Sequence, residues 1–414
     1  MRHLINNNWS FGKFVPGTTI ETVLDVLHNG TECEGCMAPF APVDIPHDWM
    51  IHNTNALYQS SIGCYVRTLT LDCSKHNFLY FEGVYMNTTI YLNGEKIFYW
   101  PYGYTSFEVD LTKYQKEGEN ELLVFVDYRE PNTRWYSGAG IFRDVWFEEK
   151  EAVRIVTDGV YINSTLCADG RFKVIVDTEV ISSNRNFKEA TISHILSDAN
   201  GNNITISESS LPLYTETNVN SQFFFAGNVR LWDIDDPCLY TLTTILRCDG
   251  CTFDVVQNTI GFRTIEFDPN KGFFLNGRYV KIHGACMHHD LGSLGAAFNK
   301  NAMRRQFREL KKMGINSVRT SHNPPSIAFM DLADEMGILI DSEAFDMWEE
   351  KMTENDYGNY FHDWCEKDVA SWVRRDRNRP SVIMWSIGNE IPDTNHEGGL
   401  KTTIRLRDAV RRND

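Results

Sequence analysis

The 414-residue sequence has no apolar run approaching the roughly 20 residues needed to cross a bilayer as a helix. It also has little positive charge. Forty Lys and Arg stand against 56 Asp and Glu, a net charge of -16. A nucleic-acid or other polyanionic partner is therefore not expected, because phosphate binding needs clustered cations. Residues 1–10 are polar and asparagine-rich and lack the apolar centre of a signal peptide, so a cytoplasmic location is expected. Ten cysteines are scattered, mostly within apolar segments, as expected for small buried residues in a reducing compartment. Two Cys-x-x-Cys pairs occur, Cys33/Cys36 and Cys248/Cys251, and neither has a flanking histidine to support zinc. Asp249-Gly250 instead reads as a two-residue hairpin turn with the second pair of cysteines as its flanks, and Glu34-Gly35 also reads as a turn.

The chain is too long for one ordinary core and suggests about three domains at roughly 150 residues each. Aromatic residues make up 13%, enough both to fill cores and to offer stacking surfaces for sugars. Residues 1–150 read as all-β. Runs at 64–71, 77–82, 88–92 and 121–128 are separated by turn signals such as Asn93-Gly94, which suits a β-sandwich or jelly roll. Residues 151–262 continue in strands, at 153–163, 172–181, 190–196, 221–225, 240–247 and 252–259. An immunoglobulin-like sandwich is the natural reading. From 263 to 414 the pattern changes. Strands at 279–284, 317–320, 338–341 and 381–387 alternate with helical segments at 301–313, 326–336, 360–375 and 402–412. That alternation signals a parallel β/α arrangement.

The stretch 376–392, Asp-Arg-Asn-Arg-Pro-Ser-Val-Ile-Met-Trp-Ser-Ile-Gly-Asn-Glu-Ile-Pro, organises the rest. Its apolar, β-branched centre reads as a buried strand. Glu390 falls just past the C-terminal end of that strand, the usual place for a catalytic carboxylate in a β/α barrel. The competing reading makes Glu390 an acid at a helix N-terminus, stabilised by the helix dipole.

Several motifs carry a family resemblance. Ile45-Pro46-His47-Asp48-Trp49, Phe81-Glu82-Gly83-Val84, Tyr91-Leu92-Asn93-Gly94 and Gly140-Ile141-Phe142-Arg143-Asp144-Val145 resemble the N-terminal sugar-binding-type domain of glycoside hydrolase family 2. The segment from Trp232 to Tyr240 resembles the end of the family's second domain. Asn316 to Pro324, continued by Asp331 to Asp341, is similar to the family's first signature, and Asp376 to Glu390 to its acid/base signature. One departure is Asn323, where the family more often carries Tyr.

The resemblance implies a jelly roll, an immunoglobulin-like sandwich and the first half of a (β/α)8 TIM barrel. It implies that Glu390 is the general acid/base of a retaining exo-β-glycosidase and that Asn389 bonds the sugar 2-hydroxyl. Arg319 would orient carboxylates by charge-assisted bonds, and His288 and His322 would bind sugar hydroxyls. His289 and Asp290 are less clearly placed, and a metal reading of His288, His289 and Asp290 lacks regular spacing. Trp135 and Tyr136 resemble a loop sent from the first domain towards the active site. Relatives that use sodium place an Asp there. Arg134 stands in its place, so no sodium is expected. The family's magnesium ligands look replaced around Asp346 and Trp348, and Glu343 reads as a structural acid. Magnesium is thus the one cofactor left open, and no other is expected.

A retaining mechanism needs a second carboxylate about 5 Å from the first. By the resemblance it lies at the end of the seventh barrel strand, about 100 residues past Glu390 and so past Asp414. The chain by itself is then expected to be inactive, with an open sheet edge that favours self-association. The stretches 134–145 and 287–292 favour a β-galactosidase, with a β-linked galactoside as substrate. A β-glucuronidase, a β-mannosidase or a non-catalytic carbohydrate-binding module are the alternatives.

Overall fold

In the computed structural model, which describes residues 2–31, 35–183, 186–214 and 216–414, alternating burial builds the first 150 residues into two antiparallel sheets. The larger sheet runs in the order Cys36–Val43, Trp9–Phe14, Ser61–Leu71, Gly118–Tyr128, Thr88–Leu92, Glu95–Trp100. The smaller holds Arg2–Leu4, Val145–Lys150, His76–Phe81 and Phe107–Asp110. Leu79, Phe81, Phe107, Val109, Ile90, Val124 and Val126 fill the space between them. This is the jelly roll. Several elements are added to the expected set. Cys36–Val43 carries Pro39 and Pro42, which are tolerated because this strand lies at the sheet edge. A helix, Ile20–Asn29, starts on the Thr19 side chain and ends at Gly30, whose φ of 64° only glycine adopts cheaply.

The second sandwich pairs Val153–Leu166, Phe172–Ser182 and Thr217–Ala226 against a sheet ordered Asn203–Pro212, Glu189–Ser197, Tyr240–Cys248, Cys251–Ile260. Period-2 burial is clean in Phe172–Ser182, where Val174, Val176 and Val180 point inward. Cys248 pairs directly with Cys251 across the Asp249-Gly250 turn, both turn residues having positive φ, as a primed hairpin requires. Cys33, the first member of the other cysteine pair, lies outside the described residues.

Between this sandwich and the barrel lies a three-stranded antiparallel sheet, Ile265–Asp268, Gly272–Leu275 and Arg278–Tyr279. The expected strand at 279–284 is therefore two pieces. Tyr279 closes the small sheet around the Asn276-Gly277 turn, and the first barrel strand is Gly284–Met287. Phe273, Leu275 and Val280 pack with Trp232 and Ile234 against Leu339 and Ile383, near the starts of two barrel strands.

Four parallel strands follow in order: Gly284–Met287, Ser317–Thr320, Leu339–Glu343 and Val382–Ser386. The helices between them are Lys300–Lys312, Ile327–Met336 and Phe361–Asp376. Asn299 caps the first by accepting from the backbone N–H groups of Asn301 and Ala302, and Ser326 caps the second. The last helix, Glu397–Arg411, begins five residues before the expected 402. Gly398 and Gly399 obscured that start. Gly399 is needed there because a Cβ would sit 2.1 Å from the Asp393 carbonyl.

Three buried polar contacts lock the jelly roll onto the barrel. Arg143 donates to the carbonyls of Tyr104 (2.7 Å) and Pro324 (2.8 Å). Arg375, held within the barrel by the Pro325 carbonyl (2.7 Å) and Asp376, donates through Nη1 to Ser106 Oγ of the jelly roll (3.4 Å). Asp368 accepts from Thr105 Oγ1 (2.5 Å) and from the Tyr357 hydroxyl, and burial still pushes its carboxyl up to about 7. The immunoglobulin-like sandwich is held by Asn378, which bonds both Ile162 N (2.9 Å) and the Val160 carbonyl (2.8 Å).

Candidate active site

The four barrel strands deliver their polar residues at their C-terminal ends. Arg319 is the third residue of the second strand, His322 lies two past its end, and Glu343 closes the third. Asn389 and Glu390 follow the fourth after Gly388. Gly388 has no Cβ for a steric reason: one would press on Ile391 and on Trp348 Nε1, which donates to the Ile387 carbonyl at 2.9 Å. Glu390 itself has φ +46°. The chain then enters a short 3-10 turn, Pro392–Asn395, and the next helix starts only at Glu397. The helix-dipole account of Glu390 therefore fails.

Glu343 is the buried hub. It accepts from Arg319 Nε (2.9 Å) and Ser386 Oγ (2.6 Å), and His322 Nδ1 lies 2.7 Å from its other oxygen. An ionised Glu343 makes that nitrogen the donor and fixes the imidazole tautomer. Burial pushes the Glu343 carboxyl up, but the bonds from His322, Ser386 and Arg319 together hold it below the usual glutamate range. Folding thus favours the ionised form, which stabilises the fold above that range and loses the contribution as pH falls through it. Glu343→Gln should start about 2 kcal/mol less stable at neutral pH. It should then lose urea resistance less steeply than the parent between about pH 5 and 3. Parallel pH curves for the two would contradict this account.

From Glu343 the network continues outward. Arg319 Nη2 donates to Asn389 Oδ1 (2.7 Å), and Asn389 Nδ2 donates to Asp346 Oδ1 (2.8 Å). Asp346, itself buried, accepts from Arg134 Nε (2.9 Å) and Nη2, and Arg134 Nη1 donates to Glu390 Oε2 (2.8 Å). One chain of charge-assisted bonds thus joins three barrel strands to a loop of the jelly roll. Glu390 is exposed, and the bond and charge of Arg134, aided by His322 and Arg319, hold its carboxyl below the usual range.

Trp135, the neighbour of Arg134, stands over His288 and His322. The three ring centres are 5.1, 5.4 and 5.3 Å apart. Beyond Trp135 opens a pocket lined by Tyr85, Tyr102, Tyr104, Asp346 and Tyr357. All six residues singled out in the sequence, Glu390, Asn389, His288, His322, Arg319 and Trp135, therefore share one mouth. His289 does not join them. Its Nε2 lies 2.9 Å from the Ser137 carbonyl, its ring packs on Tyr104, and burial pulls it down to about 4. The sequence reading missed Arg134 and Asp346 as site members. The residues at the positions of the family's sodium and magnesium ligands are otherwise engaged. Asp346 spends its oxygens on Arg134 and Asn389, and Trp348 has no ligating atom. The metal chemistry of other family branches does not fit these residues.

Comparison with known proteins matches this architecture piece by piece. The sugar binding domain of glycosyl hydrolases family 2 matches residues 39–151, the family's second domain matches 153–263, and its TIM barrel domain matches 268–412. The β-galactosidase BoGH2A of Bacteroides ovatus is 40% identical over 370 residues, covering 84% of this chain and 43% of that protein. A β-glucuronidase of Bacteroides fragilis is 26% identical over 94% of this chain and 56% of its own length. A crystal structure of a family 2 member from Bacteroides cellulosilyticus superposes with a TM-score of 0.91 at 30% identity, over all of this chain and 55% of that one. With all three of its characteristic domains matched in order, the chain belongs to glycosyl hydrolase family 2.

Proposed function

We propose that this chain carries the acid/base half of a retaining β-galactosidase active site. The observation that carries the reading is the placement of Glu390 at the barrel mouth, next to Asn389 and linked to it through Asp346 and Arg134. As the glycosidic bond breaks, the leaving oxygen gains charge, and Glu390 protonates it. In the second step the same carboxylate takes a proton from water. Asn389, held at both ends of its amide, presents itself to the 2-hydroxyl, where bonding strengthens in the oxocarbenium-like state. His288, His322 and Trp135 form the wall against which the sugar ring rests. The nucleophile of the pair belongs to the strands that complete an eight-stranded barrel.

Two observations favour a neutral sugar over a uronate. Identity to the named β-galactosidase exceeds that to the named β-glucuronidase. Both guanidinium groups of the described site are also already matched to carboxylates, Arg319 to Glu343 and Arg134 to Asp346 and Glu390. A uronate carboxylate would meet no spare cation there. A protein carrying this chain with a complete barrel should hydrolyse 4-nitrophenyl β-galactoside at least about tenfold faster than the β-glucuronide, the effect of roughly 1.4 kcal/mol at the transition state. The opposite order would overturn the galactoside reading and leave a uronidase.

A further inference from the structure

Arg134 comes from the jelly roll, 256 residues before Glu390 in sequence, yet it is the side chain in contact with the Glu390 carboxylate. Its guanidinium is divided. Nε and Nη2 grip Asp346, a carboxylate with its own side chain buried, and only Nη1 reaches Glu390. The two halves differ in strength. The Asp346 pair is bidentate and shielded, whereas the Glu390 contact is single and open to water, since that carboxylate is 70% exposed. Charge points the same way. Arg134 and Asp346 neutralise each other, so Glu390 is the surplus member of the triad and can leave without stranding a charge. A carboxylate held by a guanidinium is poorly disposed to carry the proton that a general acid must donate.

We propose that Arg134 is a positioning residue that parks the Glu390 carboxylate in the sugar-free site and releases it when a substrate oxygen takes over its Nη1 donor. This rests on the reading of Glu390 as acid/base. Asp346 makes the exchange local. It keeps Arg134 fixed while its outer N–H changes partner, and through Asn389 it ties that partner change to the position of the sugar. Release lets Glu390 take up a proton from solvent, so the acid becomes armed only with substrate in place. Among the described residues, the other ionisable groups facing Glu390 are His322 and Arg319. Both remain bound to Glu343 and do not change partner in this step.

The test is the protonation of Glu390 in this chain, followed by carbon NMR with the side-chain carboxyls of glutamate labelled and the signal assigned by its loss in Glu390→Gln. In the parent, the titration midpoint should lie below the ordinary glutamate range. Arg134→Gln should move it up into that range, and Arg134→Lys, which keeps the charge but not the fork, should move it only part of the way. Saturating isopropyl β-thiogalactoside should raise the midpoint in the parent and leave Arg134→Gln almost unmoved. Identical midpoints in the parent and Arg134→Gln would overturn the proposal. So would an unmoved parent midpoint while Trp135 fluorescence reports bound sugar. Absence of any sugar response at Trp135 would count against the galactoside reading instead, and the sugar-free comparison would still decide whether Arg134 parks Glu390.

Discussion

Removing the Glu390 carboxyl, as Glu390→Ala in a protein that carries the complete barrel, should slow cleavage of alkyl β-galactosides by about 10²- to 10⁴-fold, the usual contribution of a general acid. The size of the loss should depend on the leaving group. An alkoxide is a strong base and cannot depart without a proton, whereas a dinitrophenolate needs little help. Glycosyl transfer to the enzyme from the activated aryl galactoside should therefore be almost unaffected. Hydrolysis of the resulting glycosyl-enzyme would become slow, because water has lost its base. Azide attacks without needing one, so adding it should restore turnover and yield β-galactosyl azide. A steady-state comparison of the two leaving groups, with and without azide, reads both steps. An equal loss on both substrates with no azide rescue would show that Glu390 serves structure, and the acid/base assignment would fall.

That prediction depends on residues of very different legibility. Glu390 and Asn389 were visible in the sequence because a buried strand, a glycine and two polar residues lie within one short stretch. The helices ending at Gly314 and Gly337 were visible for the same reason: local backbone chemistry punctuates them. In the second sandwich, the β-branched run at 172–181 marked its strand, and its burial alternates along it. What escaped was set by contacts distant in sequence. Arg134 meets Asp346 across 212 residues and Glu390 across 256, and no local pattern encodes either pairing. Asp346 sat beside a suspected metal position and was weighed only as a lost ligand. The strand Glu95–Trp100 was missed because its register with Thr88–Leu92 slips between Ile90 and Tyr91, which blurs the alternation. The strand Cys36–Val43 was not read either; its prolines are tolerated because its edge position leaves their missing N–H groups unneeded. Local rules thus recovered the architecture and the carboxylate at the barrel mouth. The electrostatic frame around that carboxylate is a product of domain docking.

Docking itself should depend steeply on Asp48. This carboxylate is fully buried in the jelly roll and accepts four bonds. Met50 N (3.0 Å) belongs to its own turn, and Ala139 N (3.0 Å) and the Tyr136 hydroxyl (2.6 Å) belong to the loop that carries Arg134 and Trp135. Ala296 N (2.9 Å) belongs to the barrel. Two glycines make room for it. A Cβ on Gly138 would lie 2.7 Å from Asp48 Oδ2, and one on Gly295 would lie 2.3 Å from it, and both glycines have positive φ. Asp48→Ala leaves three backbone N–H groups and a hydroxyl facing an apolar gap. Each unmet donor costs about 1–3 kcal/mol, partly relieved by water entering the space. A net destabilisation on the order of 3–5 kcal/mol follows, in the range of a broken buried charge network. Asp48→Asn keeps the bonds to Met50 and Ala139 but turns an NH2 towards the Ala296 N–H, and should cost roughly half as much. Urea unfolding read by tryptophan fluorescence measures both, and limited proteolysis near residues 134–139 reports whether the loop is released first. A change below about 0.5 kcal/mol in Asp48→Ala would show that surface packing alone holds the interface. A large change with the loop cut early would show that a single carboxylate, remote from the chemistry, holds Arg134 and Trp135 over the site.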